Sequence, residues 1–477
     1  MTRRVVDVLV PVALEAPYSY RVPAEMALAV GDLVRVPLGA RQCTAVVWAE
    51  NTNPDPRLDN RLKEVTEKLD VPPLREELRK FVDWVAGYTV SPRGMVLRMA
   101  LRMGENLGPE RPRVGVRLGG PPAPTPPPLQ PAQQPQPPQS PQPPQSPEPA
   151  QPPHPPRSPH PPQPPQPAQP PQPAKRRTAA RARVLAVLAD GLARAKSDAA
   201  EAASVSAGVI DGMIDDGTLE ALELPPLPVA APPDPHYAVP DFTADQAEAG
   251  AKLRAAVAAA GFSVTLLDGV TGSGKTEVYF EAIAEALAQR RQSLILMPEI
   301  ALTARFLDRF AARFGVRPAE WHSQLSPRRR ARTWAAVAAG EVAVVAGARS
   351  ALFLPYAQLG LIIVDEEHDA VYKQEDGVHY HARDMAVVRG QIAKIPVVLA
   401  SATPSVETEV NARRGRYRRL ALPERFGGAP LPAVEPIDLT REGPPSGRYV
   451  APRLAESVKL ALERNEQALL FLNRRGY

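Results

Sequence analysis

The eight residues Gly269-Val270-Thr271-Gly272-Ser273-Gly274-Lys275-Thr276 fit the pattern G-x-x-x-x-G-K-[ST]. That pattern works only as the turn between a buried strand and a helix. An apolar run at 264–267 precedes it, and an amphipathic segment at 277–289 follows. Such a loop points its backbone N–H groups inward to cradle phosphates; Lys275 adds a positive charge and the Thr276 hydroxyl completes a Mg²⁺ shell. A side chain at Gly269, Gly272 or Gly274 would hold the backbone away from the phosphates, and Ser273 adds a small polar neighbour. The arrangement implies a nucleoside triphosphate, ATP, with Mg²⁺.

From Phe242 onward, strand-like runs at 264–267, 293–297, 342–346, 361–364 and 397–400 alternate with helical segments. This predicts a mostly parallel sheet covered on both faces. Each motif with chemical content falls just past the C-terminal end of one run, where open α/β sheets bind ligands. Asp365-Glu366-Glu367-His368 follows the run 361–364. Asp365 is the expected Mg²⁺-linked carboxylate and Glu366 the base that activates water. Ser401-Ala402-Thr403-Pro404 follows 397–400, where small hydroxyl residues can sense a γ-phosphate. The three motifs together point to a superfamily 2 motor. Upstream, Gln246 is placed to read adenine with its amide.

Pro298-Glu299-Ile300-Ala301-Leu302-Thr303 and Gly347-Ala348-Arg349-Ser350 also end strands. The Thr303 hydroxyl, the Arg349 guanidinium and nearby backbone N–H groups suit the sugar-phosphate track of a single DNA strand. Tyr372-Lys373-Gln374 and His379-Tyr380-His381-Ala382-Arg383 interleave aromatics with cations, as base stacking and phosphate contact require. Packing of Tyr372 and Tyr380 within a loop is the competing explanation.

The rest of the chain is organised differently. Short strand-like runs with turns over 5–50 predict a small β-barrel or sandwich, and apolar residues recur at helical spacing over 75–88. Of the 59 prolines among 477 residues, nearly half fall in a Pro/Gln tract over 119–174, where about every second residue is proline. Such a tract cannot bury a core and reads as a polyproline-II spacer, with PxxP recognition by a partner as the alternative. His154 and His160 inside it are too sparse to suggest a metal site. Residues 175–224 are Ala-rich and helical with a basic opening (Lys175, Arg176, Arg177), the size of a winged-helix module. A Pro-rich joint over 225–240 leads to the nucleotide domain. A net charge of +5 permits a nucleic-acid partner, and the single Cys43 excludes a disulfide framework or cysteine zinc site. The sequence has neither a signal peptide nor an apolar run long enough to span a membrane, so a cytoplasmic location is expected.

GVTGSGKTEVY, PEIALT, HSQL, ARSALF, VDEEHD, YKQEDGVHYHARD, SATPS and LLFLNRRGY collectively resemble the bacterial primosomal replication-restart helicases. PYSYRVP, GDLVRVPLGARQ and LKEV extend the resemblance towards the N-terminus. The resemblance implies a multidomain α/β protein: a β-rich domain that captures a 3′ DNA end (1–118), a Pro/Gln linker (119–174), a winged-helix-like module (175–224), and a first RecA-like lobe (241–425). Residues 426–477 would open a second lobe. It further implies a 3′→5′ DNA helicase that recognises stalled forks. Its partners would be forked or single-stranded DNA, primosome and helicase-loading proteins, and single-stranded DNA-binding protein, with no membrane. Tyr18, Gly39 and Lys63 would line the 3′-end pocket. Ser19, a weaker acceptor for a terminal 3′-OH, stands where the family often has aspartate. The complete family protein carries two Zn²⁺, whose ligands this chain lacks. The resemblance therefore implies a truncated form that binds DNA without unwinding it alone. Another superfamily 2 translocase and a non-enzymatic fork-binding scaffold are the alternatives.

Overall fold

The computed structural model describes residues 4–54, 61–103, 112–119, 178–298, 302–425 and 433–471. Two compact units emerge: Met1–Gly108 with Pro228–Tyr477, and Pro109–Leu227.

In the first unit, β1 (Val5–Leu9), β2 (Tyr18–Arg21), β3 (Leu33–Leu38), β4 (Arg41–Asn51) and β5 (Glu67–Lys68) form one antiparallel sheet in the order β2-β1-β4-β3-β5. Val6, Val8, Val34, Val36, Ala45 and Val47 alternate along their strands and fill its interior, the two-residue period of a half-buried strand. A bridge between Arg21 and Glu64 joins the outer strand β2 to the segment leading into β5. Arg21 N donates to Lys63 O at 2.9 Å and Val65 N donates to Arg21 O at 3.0 Å. The sheet therefore closes on itself, the barrel alternative of the sequence reading, and no free edge remains there.

Helices α1 (Glu76–Thr89) and α2 (Arg93–Ala100) follow. Leu78, Phe81, Val82 and Val85 of α1 turn one face into the same core as Trp334, Phe353 and Tyr356 of the nucleotide lobe. Phe81 and Phe353 lie 5.2 Å apart between ring centroids. The buried Trp334 indole donates to Ala100 O at 2.8 Å, and Arg389 Nε donates to Glu77 Oε1 at 2.8 Å. Barrel and lobe are thus joined by a continuous apolar core with its polar groups paired.

The second unit holds β6 (Arg113–Leu118), α3 (Ala179–Val187), β7 (Arg194–Ala195), α4 (Lys196–Ala202), α5 (Ala207–Asp215) and β8 (Leu219–Leu224). Its sheet runs β7-β6-β8, with Arg113 opposite Leu224 and Leu118 opposite Leu219. The expected boundaries shift accordingly. Strand β6 lies ahead of the Pro/Gln tract yet pairs with the far end of the module, and its Val116 joins the module core beside Val184, Ile210 and Met213. In sequence, the tract is an insertion between β6 and α3 rather than a spacer ahead of the module. Each doubling of such a loop costs only about 0.6 kcal/mol in closure entropy, so a long insertion is compatible with the pairing. The tract itself and Lys175, Arg176 and Arg177 lie outside the described residues.

The lobe comprises α6 (Ala244–Ala258), β9 (Ser263–Gly269), α7 (Lys275–Ala288), β10 (Gln292–Leu296), α8 (Ala304–Phe314), β11 (Ala319–Trp321), α9 (Pro327–Ala339), β12 (Val344–Gly347), β13 (Leu359–Asp365), the short pair β14 (Lys373–Gln374) and β15 (Tyr380–His381), α10 (Ala382–Ala393), β16 (Pro396–Ser401), α11 (Val406–Arg413) and β17 (Arg418–Leu422). Seven strands form a parallel sheet in the order β11-β12-β10-β13-β16-β9-β17. The five expected strands occupy its middle. The outer strands β11 and β17 are too short or too charged to show in the apolar pattern. Beyond the sheet, α12 (Pro452–Glu463) has no buried residue. No helix among the described residues is long and apolar enough to cross a membrane.

Candidate nucleotide and DNA sites

Strand β9 delivers the phosphate loop and α7 begins at Lys275. Gly272 and Gly274 have φ of 84° and 81°, in the left-handed region that glycine enters without steric cost. At Gly269 a Cβ would lie 2.5 Å from Ser273 Oγ, and at Gly274 one would lie 2.5 Å from Gln246 Nε2. Lys275 is buried, and its ammonium donates to Gly269 O at 2.8 Å. Burial lowers its pKa, against which the charges of Glu366, Asp365 and Asp268 act to raise it. Ser273 Oγ is buried without a hydrogen-bond partner, an unmet polar group that a phosphate oxygen in the loop would satisfy.

Asp365 ends β13, two strands from the loop. Burial raises its pKa to about 6, with the neighbouring Glu366 charge adding to the effect. Tyr279, one turn into α7, donates its hydroxyl to Asp365 Oδ2 at 3.0 Å and also interacts with the Thr276 side chain. This completely buried tyrosine ties together the two residues expected to bind Mg²⁺. In the sequence it stands within the amphipathic segment 277–289, and nothing there marks it as a site residue. A buried carboxylate facing a hydroxyl and a loop lysine fits a divalent ion shared with phosphate oxygens. Thr276 and Asp365 would hold it. Glu366 is bent into the left-handed region (φ 47°), with its N–H on Asp365 Oδ1 at 3.0 Å. Its exposed carboxylate lies 3.6 Å from His368 Nδ1. His368 Nδ1 also meets Ser401 Oγ at 2.7 Å, joining the acidic motif to the Ser-Ala-Thr-Pro motif at the end of β16.

The third acidic residue, Glu367, had no assigned role and is fully buried. It accepts from Ser405 N at 2.7 Å, Ser405 Oγ at 3.0 Å, Thr408 Oγ1 at 2.9 Å and Arg383 Nη1 at 3.3 Å. One carboxylate therefore locks together the acidic motif, the start of α11 and α10. The alternation of motifs gave no sign that these groups converge.

Gln246 is buried at the start of α6. Its Oε1 accepts from Thr243 N at 3.0 Å and its Nε2 donates to Ser273 O at 2.9 Å. The amide braces the phosphate loop while each of its polar atoms keeps capacity for one more hydrogen bond. A cavity of about 250 Å³ opens beside it, lined by Ser273, Leu422, Glu424 and Arg425 among others.

The expected DNA contacts divide. Thr303 is exposed and caps α8, accepting from Phe306 N at 3.5 Å. Arg349 donates to Val371 O and Lys373 O, both at 2.9 Å, and Lys373 is exposed beside Glu375 at 3.0 Å. Glu299, Ile300 and Ala301 lie outside the described residues. Tyr372 requires a correction. It is 1% exposed, and its hydroxyl, with one proton to donate, lies within hydrogen-bond distance of two carbonyls, Asp365 O at 2.5 Å and Leu296 O at 3.0 Å. A ring held in this way cannot stack on a base; it packs the strand ends. Tyr380 is likewise buried. In the barrel, Lys63 Nζ donates to Gly39 O at 3.0 Å, so those two residues meet. Gly39 turns between β3 and β4 at φ 62°. Tyr18 is 42% exposed at the start of β2. Ser19 Oγ donates to Asp7 Oδ1 at 2.7 Å, so a carboxylate stands directly behind it on β1.

Residues 7–102 match the family of 3′ DNA-binding domains (3′BD), and residues 243–411 match the DEAD/DEAH box helicases. Replication restart protein PriA of Rickettsia felis is 44% identical over 241 residues, covering 50% of this chain and 36% of that protein. PriA of Haemophilus influenzae is 46% identical over 217 residues (46% and 30%), and that of Bacillus subtilis 43% over 215 (45% and 27%). The chain is similar to these PriA proteins over the matched stretches. The matched regions thus span about a third of the length of these PriA proteins. The barrel with α1 and α2 corresponds to the 3′ DNA-binding domain, and the seven-stranded sheet carries the helicase domain.

Proposed function

We propose that the chain is the 3′-end-binding and ATP-binding part of an ATP-dependent 3′→5′ DNA helicase that recognises stalled replication forks and initiates restart. The observation that carries this is the convergence of Lys275, Thr276, Asp365 and Glu366 at the ends of β9 and β13, in the same compact unit as the barrel bearing Gly39 and Lys63. The loop N–H groups, Ser273 and Lys275 bind and orient the triphosphate. Mg²⁺ would neutralise developing phosphate charge between Thr276 and Asp365. Glu366 accepts the proton of the attacking water, and Gln246 fixes the loop beside the base cavity. Thr303, Arg349 and Lys373 contact a single strand, and Tyr18, Gly39 and Lys63 receive its 3′ end. Fork DNA, primosome and helicase-loading proteins, and single-stranded DNA-binding protein are the proposed partners, in the cytoplasm.

Glu366→Gln tests the catalytic assignment. The variant should bind Mg²⁺-ATP within a few-fold of the parent, while DNA-stimulated hydrolysis falls by about 10²-fold or more, the usual scale for a lost general base. Steady-state phosphate release with and without single-stranded DNA measures this. Undiminished release by the variant would remove Glu366 from the mechanism.

A further inference from the structure

A second cavity, of about 220 Å³, opens past the C-terminal ends of β10, β11 and β12. Its wall includes Arg349, His322 and Arg330 of the lobe and Arg102, which follows α2 of the N-terminal domain. Among the described residues, no aspartate or glutamate lines it. Among the described residues, none of the three arginines forms an ion pair. Arg330 Nη2 donates to Ser323 O at 2.9 Å and Leu325 O at 3.2 Å, and Arg349 rests on the two carbonyls given above. Carbonyls fix these guanidinium groups without neutralising them, and each has five N–H donors, so several remain to be used. Arg102 keeps an exposed side, yet its pKa is lowered, by desolvation first and with Arg330, Arg349 and Arg98 contributing like-charge repulsion.

Three arginines line one cavity with no carboxylate among the described lining residues; they repel one another, and an anion relieves that repulsion. Guanidinium groups match phosphate oxygens in geometry as well as charge. The exposed Lys373 lies beside it, between the lining residues Tyr372 and Gln374 and with its carbonyl on Arg349, which suits an extended backbone. We propose that this cavity is a phosphodiester subsite for a single DNA strand and that Arg102 and Arg330 bind there with Arg349. The N-terminal domain then contributes to DNA binding twice: once in its barrel, and once through Arg102 inside the lobe's own track. The proposal rests on the DNA-binding reading above.

The test uses an oligo(dT) strand capped with a 3′ phosphate, so that capture of a free end contributes nothing. Affinity is measured across a salt series for the parent, Arg102→Gln and Arg330→Gln, with circular dichroism to verify folding. For single strands, each phosphate contact contributes about 0.7 to the slope of log affinity against log salt. Each variant should shallow the slope by about that amount and bind roughly tenfold more weakly, as expected for a charge-assisted hydrogen bond. Folded variants with the parent's slope, alongside a parent that binds the strand, would overturn the subsite and leave the functional reading standing. A parent showing no salt-dependent binding to the capped strand would overturn both. If one substitution unfolds the chain, the other decides.

Discussion

Lys275→Ala should weaken Mg²⁺-ATP binding by about 10²-fold or more, eliminating any hydrolysis that depends on it. The ammonium is buried, and among the described residues its hydrogen-bond partners are backbone carbonyls. A triphosphate entering the loop therefore meets a partly desolvated cation, where Coulomb attraction greatly exceeds its value in bulk water. Charge-assisted hydrogen bonds contribute roughly 1.5–3 kcal/mol each, and two of them exceed the stated loss. The fold should survive, because burial already disfavours the charged lysine. Titration with a fluorescent ATP analogue measures the effect, and a variant binding within a few-fold of the parent would show that Lys275 does not touch phosphate.

Glu367→Ala should have the largest effect on stability. The substitution removes the shared acceptor of Ser405 N, Ser405 Oγ, Thr408 Oγ1 and Arg383 Nη1 in a site closed to water. Arg383 keeps Asp384 at 2.8 Å, but that aspartate is half-exposed and takes Nε, leaving Nη1 without its carboxylate. Breaking one partner of a buried ion pair costs about 3–5 kcal/mol, a large part of the roughly 5–15 kcal/mol that holds a typical domain together. Urea unfolding should show the midpoint falling accordingly. Glu366→Ala, on an exposed carboxylate one residue away, should leave it nearly unchanged. Equal midpoints for the two variants would contradict the account of Glu367 as the pin between the acidic motif, α10 and α11.

These two residues show where the sequence was legible. Lys275 was readable because the phosphate loop is local: glycines, lysine and threonine occupy fixed positions between a strand and a helix. The five central strands were readable for the same reason, as apolar runs closed by motifs. Glu367, Tyr279 and Gln246 owe their positions to groups brought together across strands, and no spacing announces such meetings. Tyr372 shows the opposite error. An aromatic beside lysine suggested stacking, but its hydroxyl is held by two strand-end carbonyls and its ring is enclosed. Strand β6 escaped because its partner lies beyond the Pro/Gln tract, so register could not be inferred from neighbours in the chain.

On the proposed function, one compact unit joins a receptor for DNA 3′ ends to an ATP-binding lobe. The most direct measurement is fluorescence anisotropy on a fork with a free 3′-OH and on the same fork capped by a 3′ phosphate. The free end should bind about tenfold more tightly, a difference of ~1.4 kcal/mol, and Lys63→Ala should erase that preference by removing the contact at Gly39. Equal affinity for the two forks would contradict the claim.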